Sequence, residues 1–488
     1  MINEQPETHG TDPVPLPFQL TIILVSLAVA LLTLTAESFW TDELYTRYFI
    51  DLDVTLPQAW QRMINEPHPP TYYLALRLWA SVFDVSSFSL RAFSWVVFCI
   101  ILTVPFMPFG SAVLRARRGI FVLLVATSFL LIKFSQEARS YELLALFAML
   151  ATFLTVALQR RLIHGRRIEP RYVLAAATVY PVTVMLHLYG MIFAGVCLLY
   201  LLAEAVLRRR RRFAVFIIAI GTGSLLLEAS WIYITLSYAL TQTGGAGWIS
   251  LEILPRELLS FLVKAISGNL LLGLAVMVAL LQFGTRLWRS PADRMLTIVA
   301  FVTVLLPSLA SLHTPILIDR FLIVVVPALF YVVSGLMLDL INVQSAATRS
   351  WLAFLFGISL AAAVMMQKIA IKPDWEGTAA VVESFISCED APVLASPVHE
   401  AKAYPSVDPR PELFLHSFAG RNIQVSLVPF SAANVARVQE SRCPIVAWIA
   451  RKTPSQVEQL LGDHGLRLSD FDSFWSAEAV VLFRATER

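Results

Sequence analysis

Thr41-Asp42-Glu43-Leu44-Tyr45, followed by Glu66-Pro67-His68-Pro69-Pro70-Thr71-Tyr72-Tyr73, comes directly after an apolar run from about Leu20 to Leu34. That run, with its flanks, is long enough to cross a bilayer, so the acid pair emerges at a water interface. Two carboxylates there can serve chemistry at the membrane surface. The stretch is read as an active-site loop, and the rest of the chain is read around it.

Composition fixes the class. With 57% hydrophobic residues, 15% charged residues and a mean hydropathy of +0.67, the chain is not a soluble globular protein. It reads as a polytopic α-helical membrane protein. The first apolar segment lacks a basic leader and a small-residue cleavage pattern, so it is expected to stay as a helix. Residues 1–17 read as a short disordered cytoplasmic tail. Basic clusters at Arg115/Arg117/Arg118, Arg160 to Arg171, Arg208 to Arg212, Arg286/Arg289/Arg294 and Arg349 are all placed inside, because Lys and Arg favour the cytoplasmic face. The parity then closes with about eleven transmembrane helices. Their expected positions are 18–35, 90–109, 119–134, 140–158, 172–187, 189–207, 213–236, 266–284, 295–311, 321–341 and 351–369. The N-terminus falls inside and the C-terminus outside. The transmembrane domain is residues 18–369, with an extracytoplasmic loop at 38–90.

Within that loop, amphipathic spacing around Leu56–Met63 and Tyr72–Phe83 predicts helices lying along the interface. A second outside segment carries Gly244-Gly245-Ala246-Gly247-Trp248 and reads as a flexible loop able to close over a substrate. Residues 370–488 are less apolar and hold 15 of the 35 acidic residues. They read as a small soluble α/β domain, extracytoplasmic by parity. Its expected strands are Pro392–Ala395, Ile423–Val428, Pro444–Ile449 and Ala479–Phe483, and its expected helices Trp375–Ile386 and Ser455–Leu461. Cys388 and Cys443 are its only cysteines, and they read either as a disulfide or as two buried thiols.

Ionisable residues at the outer span ends are costly near hydrocarbon and mark function or pairing. They are Glu137 and Arg139 in Ser135-Gln136-Glu137-Ala138-Arg139-Ser140-Tyr141, His187 beside Tyr189, and Asp319-Arg320 before Phe321; His313 reads as a helix-end residue. The run Arg208–Arg212 reads as a topology anchor beside anionic lipid, not as a nucleic-acid site. No Gly-rich phosphate loop, Cys/His metal cluster or nucleophile elbow occurs in the sequence. Matched Gly/Pro-broken helices, a transporter signature, are not evident either.

These motifs run in a fixed order: the acid pair, His-Pro-Pro-x-Tyr-Tyr, Arg91, Gln-Glu-Ala-Arg-x-Tyr, then Asp-Arg-Phe with Pro327 downstream. In that order the chain resembles the C-type superfamily of membrane glycosyltransferases. The branch it is most similar to holds protein O-mannosyltransferases, the lipid A aminoarabinose transferase and lipopolysaccharide galacturonosyltransferases. The resemblance covers roughly residues 18–345, and the Lys372-Pro373-Asp374-Trp375 step into the tail is also similar to bacterial members.

The resemblance implies transfer of a sugar from a polyprenyl-phosphate donor to an envelope acceptor, whether lipopolysaccharide, another glycan, a lipid or a protein. The implied address is the outer face of a bacterial cytoplasmic membrane. Asp42 is then the expected base, with Glu43 orienting it, binding acceptor or helping to hold a metal. Arg139 and Arg320 are expected on the donor phosphate because a guanidinium fork binds two oxygens at once. His68 joins them, standing where the aminoarabinose enzyme has a lysine taken to meet phosphate; a capping or packing role is its alternative. Tyr45, Tyr72, Tyr141, Glu137, His187 and Tyr189 are expected donor or acceptor contacts, while interfacial belts also place tyrosines here. No cofactor is demanded, and a divalent cation, Mg or Mn on Asp42 and Glu43, stays open. The competing readings are a transporter or flippase for a lipid-linked sugar and a scaffold presenting the tail.

Overall fold

The computed structural model describes residues 12–34, 39–64, 68–241, 254–312, 316–343, 346–369, 374–385, 392–396, 426–440, 444–450, 452–476 and 479–484. Apolar runs bounded by Pro, Ser and Gly fold as helices through the first three quarters of the chain. In order these are Leu16–Leu32 (α1), Thr41–Ile50 (α2), Leu56–Met63 (α3), Thr71–Val82 (α4), Ser87–Thr103 (α5), Pro108–Leu114 (α6), Arg118–Thr127 (α7), Phe129–Phe134 (α8), Tyr141–Ile163 (α9), Pro170–Val184 (α10), Leu188–Leu207 (α11) and Arg211–Thr241 (α12). Leu254–Ala265 (α13), Leu270–Phe283 (α14), Arg286–Arg289 (α15), Pro291–Ser311 (α16), Val326–Val343 (α17) and Ala346–Ile369 (α18) follow, with a 3-10 segment at Asp319–Val325 leading into α17.

Helices occupy all the predicted spans, yet among the described residues six are both long and apolar enough to cross a membrane. The pair α13 and α14, bent by 98°, makes a seventh if it is one span. About eleven spans were expected; among the described residues α7 and α8 are separated at Ser128, and α1, with 17 residues, falls just short of that length. α9 is the central rod, almost wholly buried among α5, α10, α11 and α17.

The breaks are stitched. Ser267 at φ +56 and Gly268 at φ +65 turn the chain between α13 and α14, a conformation Gly adopts freely and Ser does not. The Ser267 hydroxyl donates to the Thr127 carbonyl and accepts from Phe129 N–H at 2.7 Å, bridging the gap between α7 and α8. Asn269 caps α14 through Leu271 and Leu272 N–H, each 3.1 Å away, and donates to α18 at Leu355 O and Ser359 Oγ, both 2.8 Å. Where water is scarce, such side chains must take over freed backbone groups. Two discontinuous helices therefore meet at one hydroxyl, a feature the sequence reading did not find.

Within residues 38–90 the two expected helices are present as α3 and α4, and a third that was not expected, α2, carries Asp42 and Glu43 in its first turn. The 1–17 expectation also needs correction. Asp12 accepts from Val14 N–H (3.1 Å), Gln19 Nε2 (3.2 Å) and Gly119 N–H (3.0 Å) and sits 3.5 Å from Arg118, so the chain is fastened to the start of α7 from residue 12. At that same end, Arg117 reaches Asp293 Oδ1 at 2.6 Å and Arg286 joins Asp293 (3.1 Å) and Asp339. The basic clusters thus gather at the Ile163 end of α9, opposite Tyr141.

Beyond α18 come Trp375–Phe385 (α19), Pro392–Ser396 (β1), Ser426–Pro429 (β2), Ala432–Glu440 (α20), Ile445–Ala450 (β3), Pro454–Gly462 (α21), Asp472–Ser476 (β4) and Ala479–Arg484 (β5). The five strands form one sheet in the order β2-β1-β3-β5-β4, parallel from β2 to β3 and antiparallel through β5 and β4. Trp448 on β3 donates to Thr378 Oγ1 of α19 at 2.9 Å, and Leu394, Ala447, Ile449 and Leu482 cluster with Val435 of α20 and Val457 of α21. β4 and α20 were not predicted, because the exposed Asp-Ser-Phe-Trp-Ser run lacks the buried pattern of its neighbours. Asp374 caps α19, its Oδ1 accepting from Gly377 N–H at 2.9 Å. His313, the 244–248 loop, Cys388 and Cys443 lie outside the described residues.

Candidate active site

Glu43 organises the site from below. It is fully buried and its two oxygens meet Arg91 Nε and Nη2, both at 2.8 Å, in a two-pronged ion pair. Oε1 also accepts Ala138 N–H at 2.9 Å, and Oε2 lies 3.3 Å from Trp40 N, closing the cap of α2. Arg91 Nη1 donates to Leu34 O at 2.8 Å. One carboxylate thereby ties the end of the first apolar segment, α2, α5 and the turn before α9.

One residue earlier on the helix, Asp42 faces the other way, and its side chain is 23% exposed. Its Oδ2 lies 3.5 Å from Arg320 Nη2 and 3.9 Å from Arg139 Nη2. Arg139 Nη1 further donates to Asp42 O (3.1 Å) and Thr46 Oγ1 (3.3 Å), which fixes the fork against α2. Arg320 lies over the rings of Trp40 (5.3 Å), Phe321 (5.6 Å) and Tyr141 (5.9 Å). Asp319 is turned away from it and paired with Lys264 of α13; it also accepts from Ser260 Oγ at 2.6 Å, and its N–H donates to Glu257 at 2.9 Å.

An aromatic wall closes the side. Phe321 packs 4.7 Å from His187, 5.3 Å from Tyr189, 6.2 Å from Tyr141 and 6.3 Å from His68 by ring centroids. His68 and His187 stack at 4.7 Å. His187 Nδ1 accepts Tyr189 N–H at 3.1 Å, capping α11, so in the neutral ring the proton sits on Nε2. Four donors here are buried without a hydrogen-bond partner among the described residues: Arg320 Nε, Tyr141 Oη, Trp40 Nε1 and His187 Nε2. Buried donors are rarely left so, and a cluster of them is what an anion or a sugar would satisfy.

Both histidines are held neutral. Burial pushes His68 down to about 3, with Arg139 and Arg320 adding to the effect. His187 is driven well below its ordinary value by burial, then by His68 and the same two arginines. His68 stacks on His187, as its packing alternative expects, and burial disfavours a charge on its ring. The sign for stability follows. Below the ordinary histidine value of about 6.5, the unfolded chain binds protons that the folded chain refuses. Stability from each ring is therefore complete above about 6.5 and is lost as pH falls, by up to about 1.4 kcal/mol per pH unit per ring. Thermal unfolding between pH 7.5 and 5 should show that decline, and His68→Gln should make it shallower. An identical slope in the variant would exclude His68 as a contributor.

The structure thus brings together Asp42, Arg139, Arg320, Tyr141, His187, Tyr189 and His68. Glu137 is buried in the same turn, its carbonyl accepting Ser94 Oγ at 2.7 Å. Tyr45 and Tyr72 are placed differently: Tyr45 stacks along its own helix on Phe49, and Tyr72 packs between Tyr73 and Phe93. They are wall residues. The metal alternative does not fit the donor set, because both Glu43 oxygens are occupied by Arg91 and backbone N–H groups while Asp42 faces two guanidiniums. Among the described residues no group of three or more His, Cys, Asp or Glu could hold a metal ion.

No protein-family model matches the chain, and no curated protein matches it in sequence. Solved structures do. The crystal structure of ArnT from Cupriavidus metallidurans bound to undecaprenyl phosphate aligns with a TM-score of 0.57 at 11% identity, covering 96% of this chain and 99% of that one. The apo-state crystal structure of the same protein gives 0.54 at 12%, covering 97% and 99%. The chain has the ArnT fold. In that fold the structure sets Asp42 beside Arg139 and Arg320, all named from the motifs, and adds Trp40 over Arg320 and the contacts of Arg91, which the motifs do not give. Arg91 enters the sequence reading as a motif charge opening an apolar helix, where an ionisable residue marks function or pairing.

Proposed function

We propose that the chain is a membrane glycosyltransferase that moves a sugar from a polyprenyl-phosphate donor to a hydroxyl of an envelope glycan, lipid or protein at the outer face of the bacterial cytoplasmic membrane. One observation carries the reading: in an ArnT fold, Arg139 and Arg320 converge on Asp42 beside four buried donors that lack partners. In the proposed step the Asp42 carboxylate takes the acceptor hydroxyl proton as the acceptor oxygen attacks the anomeric carbon. The bond from carbon to phosphate oxygen breaks on the opposite face, and its electron pair leaves on the phosphate. Arg139, Arg320 and the Tyr141 hydroxyl stabilise the charge that builds up there. The product sugar is inverted, and polyprenyl phosphate is released.

Trp40, His187, Tyr189 and Phe321 supply the faces and edges against which a sugar ring packs. In this reading Glu43 positions Asp42 through Arg91 and does not touch substrate. In the same reading residues 370–488 form an extracytoplasmic domain.

The test is sugar transfer by purified protein in nanodiscs from a panel of labelled polyprenyl-phosphate sugars to envelope extract, with and without chelator. Transfer from at least one donor, unchanged by chelation, is expected. Loss on chelation with recovery on adding Mg or Mn would show that a cation joins the chemistry. Absence of transfer with every donor would remove the transferase reading.

A further inference from the structure

The proposed chemistry uses one end of α9, and the other end carries a second concentration of charge. A cavity of about 250 Å³ lies between α6, the last turns of α9 and the start of α10. Arg115, Arg160, Arg161, His164 and Arg166 line it, with Tyr172, and no carboxylate does so among the described residues. α9 is 23 residues long, which at helical rise separates the cavity from Tyr141 by about 34 Å.

Two of these guanidiniums are anchored. Arg160 donates to Ala112 O at 3.0 Å and Val113 O at 3.1 Å, fastening α6 to α9. Arg161 pairs with Glu169, donates to Arg167 O at 2.6 Å and lies 4.3 Å over the Tyr172 ring. Arg115 and Arg166 stand exposed at the rim. Arg115 holds φ +52, a backbone conformation that a side-chain-bearing residue seldom adopts. Nearby, Gly165 turns at φ +66 under Arg210, whose Nη2 would lie 2.5 Å from any added Cβ. The Arg208–Arg212 run therefore leans on the same helix end.

Arg161 is offset by Glu169, whereas Arg160, His164 and Arg166 gather around a void lined by no acid among the described residues, a setting that favours an anion. Guanidinium forks match phosphate oxygens in particular. The remaining wall, with Phe109, Val113 and Ala157, is apolar, and the cavity sits where the apolar span of α9 ends at Ile163. A ligand that is charged at its head and apolar beside it fits that setting. We propose that this cavity binds the phosphate of an anionic phospholipid headgroup, on the membrane face opposite the candidate active site.

Native mass spectrometry of the full chain from nanodiscs of phosphatidylcholine doped with phosphatidylglycerol tests this. Wild type should retain phosphatidylglycerol preferentially, and the Arg115→Gln/Arg166→Gln variant should hold it on the order of tenfold more weakly. The Arg289→Gln/Arg294→Gln variant, altered in a basic cluster outside the cavity, should behave as wild type. Inorganic phosphate at millimolar concentration should not displace the lipid; displacement would keep the phosphate site and reassign its source to free phosphate. Equal weakening in both double variants, or in neither, overturns the proposal. Thermal unfolding of each variant confirms that loss of lipid is not loss of fold, since Arg115 and Arg166 are exposed and lie outside the candidate active site.

Discussion

Asp42→Asn is expected to lower sugar transfer by about 10²–10⁴-fold, the usual contribution of a positioned base, while leaving the folded protein intact. The substitution keeps shape and an oxygen for Arg139 and Arg320 but removes the group that takes the proton. Its effect on binding has the opposite sign. Asp42 shares those two arginines, at 3.9 and 3.5 Å, with any phosphate that arrives, so removing its charge leaves them more available. Polyprenyl phosphate should therefore bind the variant at least as tightly as wild type. Turnover and lipid-phosphate affinity, measured together, separate the readings: a flippase or scaffold would tolerate Asn, whereas weaker binding together with lost turnover would show that Asp42 is a binding residue and not the base.

The second large effect falls on stability. Glu43 and Arg91 are 0% and 1% exposed, and each is the other's charge partner. Removing one member of a buried pair strands the other, at a cost of about 3–5 kcal/mol. Glu43→Gln and Arg91→Met should each lower the unfolding temperature sharply and also lose activity, because Asp42 shares the first turn of α2 with Glu43. The double variant should recover part of the loss, since neither charge is then left alone. Additive single effects would mean that the pair does not act as a unit. The contrast with Asp42→Asn is the diagnostic: neighbouring carboxylates, one governing chemistry and the other architecture.

That division could not be read from Asp42-Glu43 alone. Two adjacent acids after an apolar segment look alike in sequence; they differ because successive helical positions point about 100° apart, and a helix was not expected there. The motif order gave the fold class, and Arg139 and Arg320 were legible because charge at a span end is costly. The histidines were harder. Nothing local to His68 or His187 indicates that they stack on each other, so the neutral state of His68 became visible only with burial and two arginines in view. The broken helices were missed because Ser128 is an ordinary residue and Ser267-Gly268-Asn269 reads as a short polar turn; only their meeting through one hydroxyl makes them a pair. Hydropathy registers apolar length and not continuity.

The Glu43 brace also sets a timetable for biogenesis. Glu43 is translated soon after the first hydrophobic segment, but its partner Arg91 follows 48 residues later and Ala138 N–H 95 residues later. Until the translocon has released the chain through the turn before α9, this carboxylate has no complete set of partners. The candidate site is thus a late product of insertion: nascent chains arrested before residue 138 would carry Asp42 and Glu43 on an unfinished helix, open to quality-control proteases. Those extended past Tyr141 would lock the loop in one step.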